Sequence, residues 1–255
     1  MKTLVPAALA AASLLLATTT PTQAETKVGT TVESRLILAL KAPDAAVQAM
    51  LPEGWTSLTL PKGPLAGANI LVTLMDRHLI LDPEGKPEDP SSGPTAALFT
   101  YAVKEGEKGP RGFVVRTYEE PPLSDPYSTS AEADIERVST FEDGGAGARA
   151  ISETWTIKPV AGGEIKVQLN SNLGGYIWAT DQTVQPYSAT VPEFSRIYRY
   201  DQLLTPLKSK AAGLDLTKDV TLTLNDPELA SLFDGSEALI AILYIPQYAR
   251  EVSLP

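Results

Sequence analysis

Four groups of residues in this sequence have types and spacings that chemistry can use. The segment Pro192 to Tyr200 is the densest mixture of aromatic and basic side chains in the chain. Phe194, Arg196, Tyr198 and Tyr200 share one parity, so a strand there sets Arg196 on an aromatic face, where it receives an anionic ligand or stacks on tyrosine. Asn170 to Trp178 gathers amides and two aromatics around Gly174-Gly175, a set that suits a polyol and equally builds an ordinary turn. Glu119-Glu120 and the pair Glu132 and Asp134 are carboxylates of the kind general acid–base catalysis employs, although spacing alone does not assign them that role. His78, the only histidine, clusters with Asp76, Arg77 and Asp82. A metal is one reading of that cluster; a solvated strand end with an ion pair is the preferred one, and no metal or other cofactor is expected.

Other chemistries are excluded more firmly. The chain has no cysteine, which removes thiol nucleophiles, thiolate metal sites and disulfides. A serine triad would have to run through His78, and no Gly-x-Ser-x-Gly elbow exists to present the nucleophile. Gly144-Gly-Ala-Gly147 follows Glu142-Asp143 but has no lysine and no helix after it, so it makes a poor phosphate cradle.

The elements that must position these residues are short and mostly extended. Twenty-one prolines and 18 glycines punctuate the chain. Strands are predicted over 31–40, 55–60, 68–75, 96–104, 112–118, 150–158, 164–170, 176–179 and 238–248. Pro159 to Gly163 joins two of them as a hairpin. A short helix should open at Asp44 as N-cap and end at Pro52-Gly54. Further helical expectations fall on 131–138, on 201–212 with a break at Pro206, and on a turn opened by Asp226-Pro227. Residues 82–94, with four prolines and five charged residues, read as a long loop. The fold class is therefore mostly β with a few short helices, in one domain over 25–255.

The N-terminal third resembles the acetoacetate decarboxylase-like superfamily. The resemblance rests on a strand, then Pro43-Asp-Ala-Ala-Val-Gln-Ala-Met-Leu-Pro-Glu-Gly-Trp55, a glycine-bearing turn and the strand 68–75. The stretch Gly112-Phe-Val-Val-Arg-Thr-Tyr-Glu-Glu-Pro-Pro122 is similar to that family's central strand and the turn after it. The resemblance implies a cone-shaped β-barrel with a buried apolar pocket, in which a lysine of depressed pKa forms a Schiff base with a β-keto acid. In this sequence the corresponding stretch, 125–135, holds no lysine, and none occurs between Lys108 and Lys158. The family's nucleophile is missing. The resemblance also implies an arginine on the first strand; Arg35 lies there, at a different spacing from the helix, either inward against a substrate carboxylate or outward at a strand end.

Charge and the N-terminus set the setting. A formal net charge of −10 argues against nucleic acid and anionic lipid as partners. Lys2, the apolar run Leu4 to Ala17, and Thr22 and Ala24 read as an export signal cleaved after Ala24. No later segment is apolar enough for membrane insertion, so a periplasmic or secreted protein is expected. The preferred function is the binding of a small apolar molecule bearing a carbonyl or carboxylate in a barrel pocket, probed by Arg35 or Arg196 and walled by Trp55 or Trp178. One alternative is a lyase working through Glu119 or Glu120, or through a displaced Lys104 or Lys166. Another is a non-catalytic envelope protein that presents a β surface to a macromolecule and has no deep pocket.

Overall fold

The computed structural model describes residues 24–145 and 149–255. The export signal lies outside the described residues except for Ala24, as do Ala146 and Gly147 of the glycine-rich tip. The strands are β1 (Thr26–Lys41), β2 (Thr56–Ser57), β3 (Ile70–Leu81), β4 (Gly93–Val103), β5 (Arg111–Glu119), β6 (Ser130–Asp143), β7 (Arg149–Pro159) and β8 (Glu164–Asn172). They continue as β9 (Ile177–Val184), β10 (Pro186–Ser188), β11 (Ile197–Ser209), β12 (Leu214–Asp215), β13 (Thr217–Asn225) and β14 (Ala238–Leu254). The helix α1 (Asp44–Ala49) and a 3-10 turn at Pro227–Leu229 are the helical elements among the described residues.

All strands join one sheet in the order β12-β11-β14-β1-β3-β4-β5-β6-β7-β8-β13. The chain is mostly β, as its punctuation implies, but the sheet does not close into a complete barrel. β9 pairs with β11 and the next strand, β10, pairs with β5. The single segment 177–188 thus spans the gap between β11 and β5.

Strand alternation divides the sheet into two environments. Leu36, Leu38 and Leu40 of β1, Ile70, Val72 and Leu74 of β3, and Ala96 and Leu98 of β4 enter the main core. There they meet Ile135, Ile151, Trp155, Ile157, Ile165 and Val167 from β6, β7 and β8. The intervening residues of β1, β3 and β4 face the other way, into a cavity. A small second apolar cluster, built from Ala39, Leu71, Ile240 and Ala241 with Leu60 and Leu65 of the loop before β3, packs at one end of that face.

The two sheet halves are tied across the core by Arg137. Its guanidinium donates to both oxygens of Glu153 at 2.8 and 3.0 Å, to Asp76 at 2.8 Å and to the Ser34 hydroxyl at 2.7 Å. The carboxylate of Glu153 is fully buried, so this set of bonds neutralises a charge that would otherwise be costly there.

Three local expectations are corrected. Residues 131–138 form part of β6: Ala133 and Ile135 are buried while Glu132, Asp134 and Glu136 are exposed, a period of two that outweighs the helix propensity of Ala and Glu. Residues 201–209 belong to β11, in which Thr205, Leu207 and Ser209 alternate inward, and 210–212 form the turn after it. Pro206 sits there at a register shift, the position a strand gives a residue that lacks an N–H. Asp44 is the first residue of α1 rather than its cap; Pro43 takes the cap position, and the Asp44 carboxylate pairs with Lys41 and accepts from Asn69. Asp226 does cap its turn, accepting from the Glu228 N–H at 2.8 Å.

Candidate functional site

The cavity has a volume of about 360 Å³ and is walled by β1, β3, β4, β5, β9, β10, β11 and β14. Its composition changes along the strands. Ile37, Leu71, Phe99, Leu204 and Leu243 line one part, next to the second apolar cluster, and Leu65 lines it there too. Further along the same strands come Arg35, Arg77, Arg250 and Glu119, and with them Tyr198 and Tyr200. Arg196, just before β11, completes the polar lining. No lysine is among the lining residues.

Glu33 organises the polar part. Register places Glu33 opposite Tyr248 of β14 and Arg77 of β3. Its Oε1 accepts from the Thr31 hydroxyl at 2.9 Å and from Arg35 Nη2 at 2.9 Å, with Arg250 Nε at 3.3 Å. Burial alone would push this carboxyl up. The Arg250 and Arg35 charges, with the hydrogen bonds from Arg35 and Thr31, outweigh it and hold the pKa at about 2. Oε2 is buried without a partner. Burial likewise opposes the charge on Arg250, yet Glu33 keeps its pKa above the usual arginine value.

Aromatic rings carry the guanidinium groups. Arg35 lies 3.5 Å from the centre of the Tyr248 ring, which stacks on Tyr200, and Arg250 lies over Tyr198 at 4.3 Å. The Tyr198 hydroxyl meets the Tyr127 hydroxyl at 2.5 Å. Burial, then Tyr198, raise the Tyr127 pKa, so that phenol stays protonated. Burial raises Tyr248 to about 12. These phenols are hydrogen-bond donors at neutral pH, not bases.

Tyr127 belongs to the crossing 120–129, which connects β5 to its parallel neighbour β6 and contributes Ser124 and Pro126 to the cavity wall. Glu119, at the end of β5, holds this crossing: its Oε2 accepts from the Ser124 N–H at 2.8 Å and the Ser124 hydroxyl at 2.9 Å.

The residues singled out in the sequence divide accordingly. Arg35, Arg196 and Glu119 line the cavity together. The single parity of Arg196, Tyr198 and Tyr200 is realised, and Phe194 packs edge-on against Tyr127. Glu120 is exposed, and its carboxylate takes the Ile135 N–H at 3.3 Å. Trp55 is not a cavity wall; it is buried in the main core, edge-on to Phe113 at 4.9 Å. Trp178 is 52% exposed on β9. A register shift on β9 around Asp181, whose φ is +55°, breaks the alternation, so Val184 reaches the cavity while Trp178, of the same parity, does not. Lys104 and Lys166 are not among the lining residues either. Asp76 is committed to Arg137, His78 lies 3.8 Å from it, and no group of three metal-ligating side chains converges among the described residues.

Glu33, Tyr127, Tyr248 and Arg250 were not singled out, and Arg77 was noted only in the cluster around His78. The available signal was a charge set inside an otherwise apolar strand, as with Glu33 between Val32 and Leu36 and Arg250 between Tyr248 and Val252.

Comparison with solved structures places this architecture among acetoacetate decarboxylase-like folds. The enduracididine biosynthesis enzyme MppR, complexed with the condensation product of pyruvate and imidazole 4-carboxaldehyde, superposes with a TM-score of 0.55 at 11% identity, over 90% of this chain and 87% of that one. The same enzyme complexed with pyruvate gives 0.54 at 13% identity, over 97% and 96%. An acetoacetate decarboxylase-like enzyme from Sphingomonas wittichii RW1 gives 0.51 at 11% identity, over 95% and 97%. At such identities the likeness is one of fold. No family model and no curated protein matches the chain.

Proposed function

We propose that the protein binds a small carboxylate- or carbonyl-bearing molecule in the β-walled cavity, without Schiff-base chemistry. The observation that carries this reading is Arg196. Its side chain makes no hydrogen bond or ion pair among the described residues, and its Nε is buried without a partner in a cavity that has an apolar end. A buried guanidinium N–H left unpaired is costly, and a planar carboxylate is the complement that satisfies it. The size and mixed lining suit a small organic ligand. MppR, on a similar fold, is complexed with pyruvate in one structure, which agrees with a small oxo acid as ligand.

The absence of lysine from the lining argues against decarboxylation through an imine. The carboxylate route keeps one candidate, Glu119, but its Oε2 is engaged by Ser124, which favours a role in holding the crossing. A cavity walled by eight strands and the crossing 120–129 also favours ligand binding over a purely surface-based envelope role.

We also propose that the protein acts outside the cytoplasm after cleavage behind Ala24. The export pattern in the sequence supports this, and so does the fold, since Glu25 already pairs with Arg199 and β1 begins at Thr26. A mature N-terminus at Glu25, read by mass spectrometry of the protein from fractionated cells, is the expected result; an intact Met1 sinks it.

Native mass spectrometry with a panel of small oxo acids, with and without borohydride, tests the binding reading. A non-covalent adduct that disappears in Arg196→Gln, with no reduced covalent product, is expected. A mass gain matching a reduced imine overturns the absence of Schiff-base chemistry. No adduct with any acid removes the binding reading.

A further inference from the structure

The cavity holds more positive charge than one carboxylate can answer. Four arginines line it. Arg35 and Arg250 share Glu33. Glu119, a carboxylate of the lining itself, forms no ion pair among the described residues and spends its hydrogen bonds on Ser124. Arg77 and Arg196 therefore have no acidic partner within ion-pair distance among the described residues. Arg77 makes one side-chain bond, from Nε to the Gly93 carbonyl at 3.1 Å; Arg196 makes none. In a chain whose net charge is −10, two unanswered cations in one half-buried cavity are a local inversion of sign.

Their places in the strand order separate them. Arg77 is on β3. Arg196 sits at the junction of β10 and β11, its N–H bonded to the Pro186 carbonyl. From β11 the path to β3 runs through β14 and β1, and from β10 it runs through β5 and β4. Either way round the wall the separation is three ladder steps, so the two cations stand on opposite sides of the cavity. Between them the wall carries Arg35, Tyr248 and Arg250 on the β1 and β14 side and Thr95, Thr117 and Glu119 on the β4 and β5 side, with Ile37 and Ala97 further along the strands.

The geometry points to a small linear dianion, with an anionic group at each end, as the ligand of this cavity. A monocarboxylate answers one of the two arginines and leaves the other without a counter-charge; a dianion answers both. Carboxylate and phosphonate ends share the required chemistry. This inference rests on the reading that the cavity binds small acids, and it deepens that reading by naming the class.

Calorimetric titration of the purified protein with α,ω-dicarboxylates of increasing length, their monomethyl esters and the matching phosphonocarboxylates tests it. At one length the diacid should bind at least about tenfold more tightly than its monoester, about 1.4 kcal/mol. Arg77→Gln and Arg196→Gln should each abolish that advantage, whereas the monoester should respond to only one of the two. A phosphonocarboxylate that binds more tightly than the diacid supports the dianion and identifies a phosphoryl end. Thermal unfolding of each variant without ligand, and the charge-retaining Arg77→Lys and Arg196→Lys, separate loss of recognition from loss of fold. Equal affinity for diacid and monoester at every length overturns the dianion while leaving small-acid binding in place. Binding of neither removes both.

Discussion

Replacing Glu33 by glutamine isolates the electrostatic centre of the cavity wall. The change keeps the shape of the side chain and mimics its protonated form. Holding the Glu33 carboxyl at about 2 instead of its ordinary 4.5 corresponds to about 3 kcal/mol of folding free energy at neutral pH, at about 1.4 kcal/mol per pH unit. Because the folded pKa is depressed, that contribution is fully present above pH 4.5 and is lost as the pH falls from there through about 2. Glu33→Gln should therefore be less stable than the parent by about 3 kcal/mol at pH 7. In urea unfolding this moves the midpoint on the order of 1 M. The gap between parent and variant should narrow steadily below pH 4.5 and nearly vanish by pH 2. Other carboxylates titrate in the same range, but they do so in both proteins and cancel in the difference. A gap under about 1 kcal/mol at pH 7, or one that stays constant from pH 6 to pH 3, would refute the assignment of Glu33 as an ionised partner of Arg35 and Arg250.

Arg137→Met leaves the fully buried Glu153 carboxylate without its two guanidinium bonds and should cost about 3–5 kcal/mol in urea unfolding. Adding Glu153→Leu should restore much of that loss. Glu119→Gln should raise amide hydrogen exchange across Ser124 to Thr129 while β5 and β6 keep their protection, because the carboxylate holds the crossing through Ser124. Gly112→Ala places a Cβ 2.0 Å from Phe99 Cζ. Since Phe99 lines the cavity, the variant should lose about 1–3 kcal/mol in thermal unfolding and bind small acids more weakly in titration.

Much of the fold could be read from punctuation. The hairpin of β7 and β8 followed from Pro159 to Gly163, and β1, β3 and β14 followed from runs of Ile, Val and Leu, each observed longer than expected. The misreadings came where residue type and periodicity disagree. Residues 131–138 and 201–212 are rich in helix formers, but their buried positions fall on every second residue, and pairing with β7 and β14 decides the outcome. The site was legible only within single strands. Arg196, Tyr198 and Tyr200 announced a shared face because they are near neighbours in sequence. Glu33 and Arg250 are 217 positions apart by number, and only the antiparallel register that sets Thr31 opposite Arg250 brings them together. Trp55, just before β2, is drawn into the main core, and Trp178 failed as a wall because an aromatic residue type does not reveal which face of a strand it occupies, and a register shift can reverse it.

The pairing of β1 with β14 also fixes when the molecule can form. These two strands come from opposite ends of the chain, with Thr26 beside Leu254, and β14 lies between β1 and β11 in the wall. Until β14 has paired, β1 lacks a partner on that edge, Glu33 lacks its counterpart Arg250, and the cavity lacks part of its wall. A wall so dependent on pairing between strands far apart in sequence forms late and slowly. The order of events is therefore local hairpins first, cavity last: the wall is whole only once β14 lies between β1 and β11.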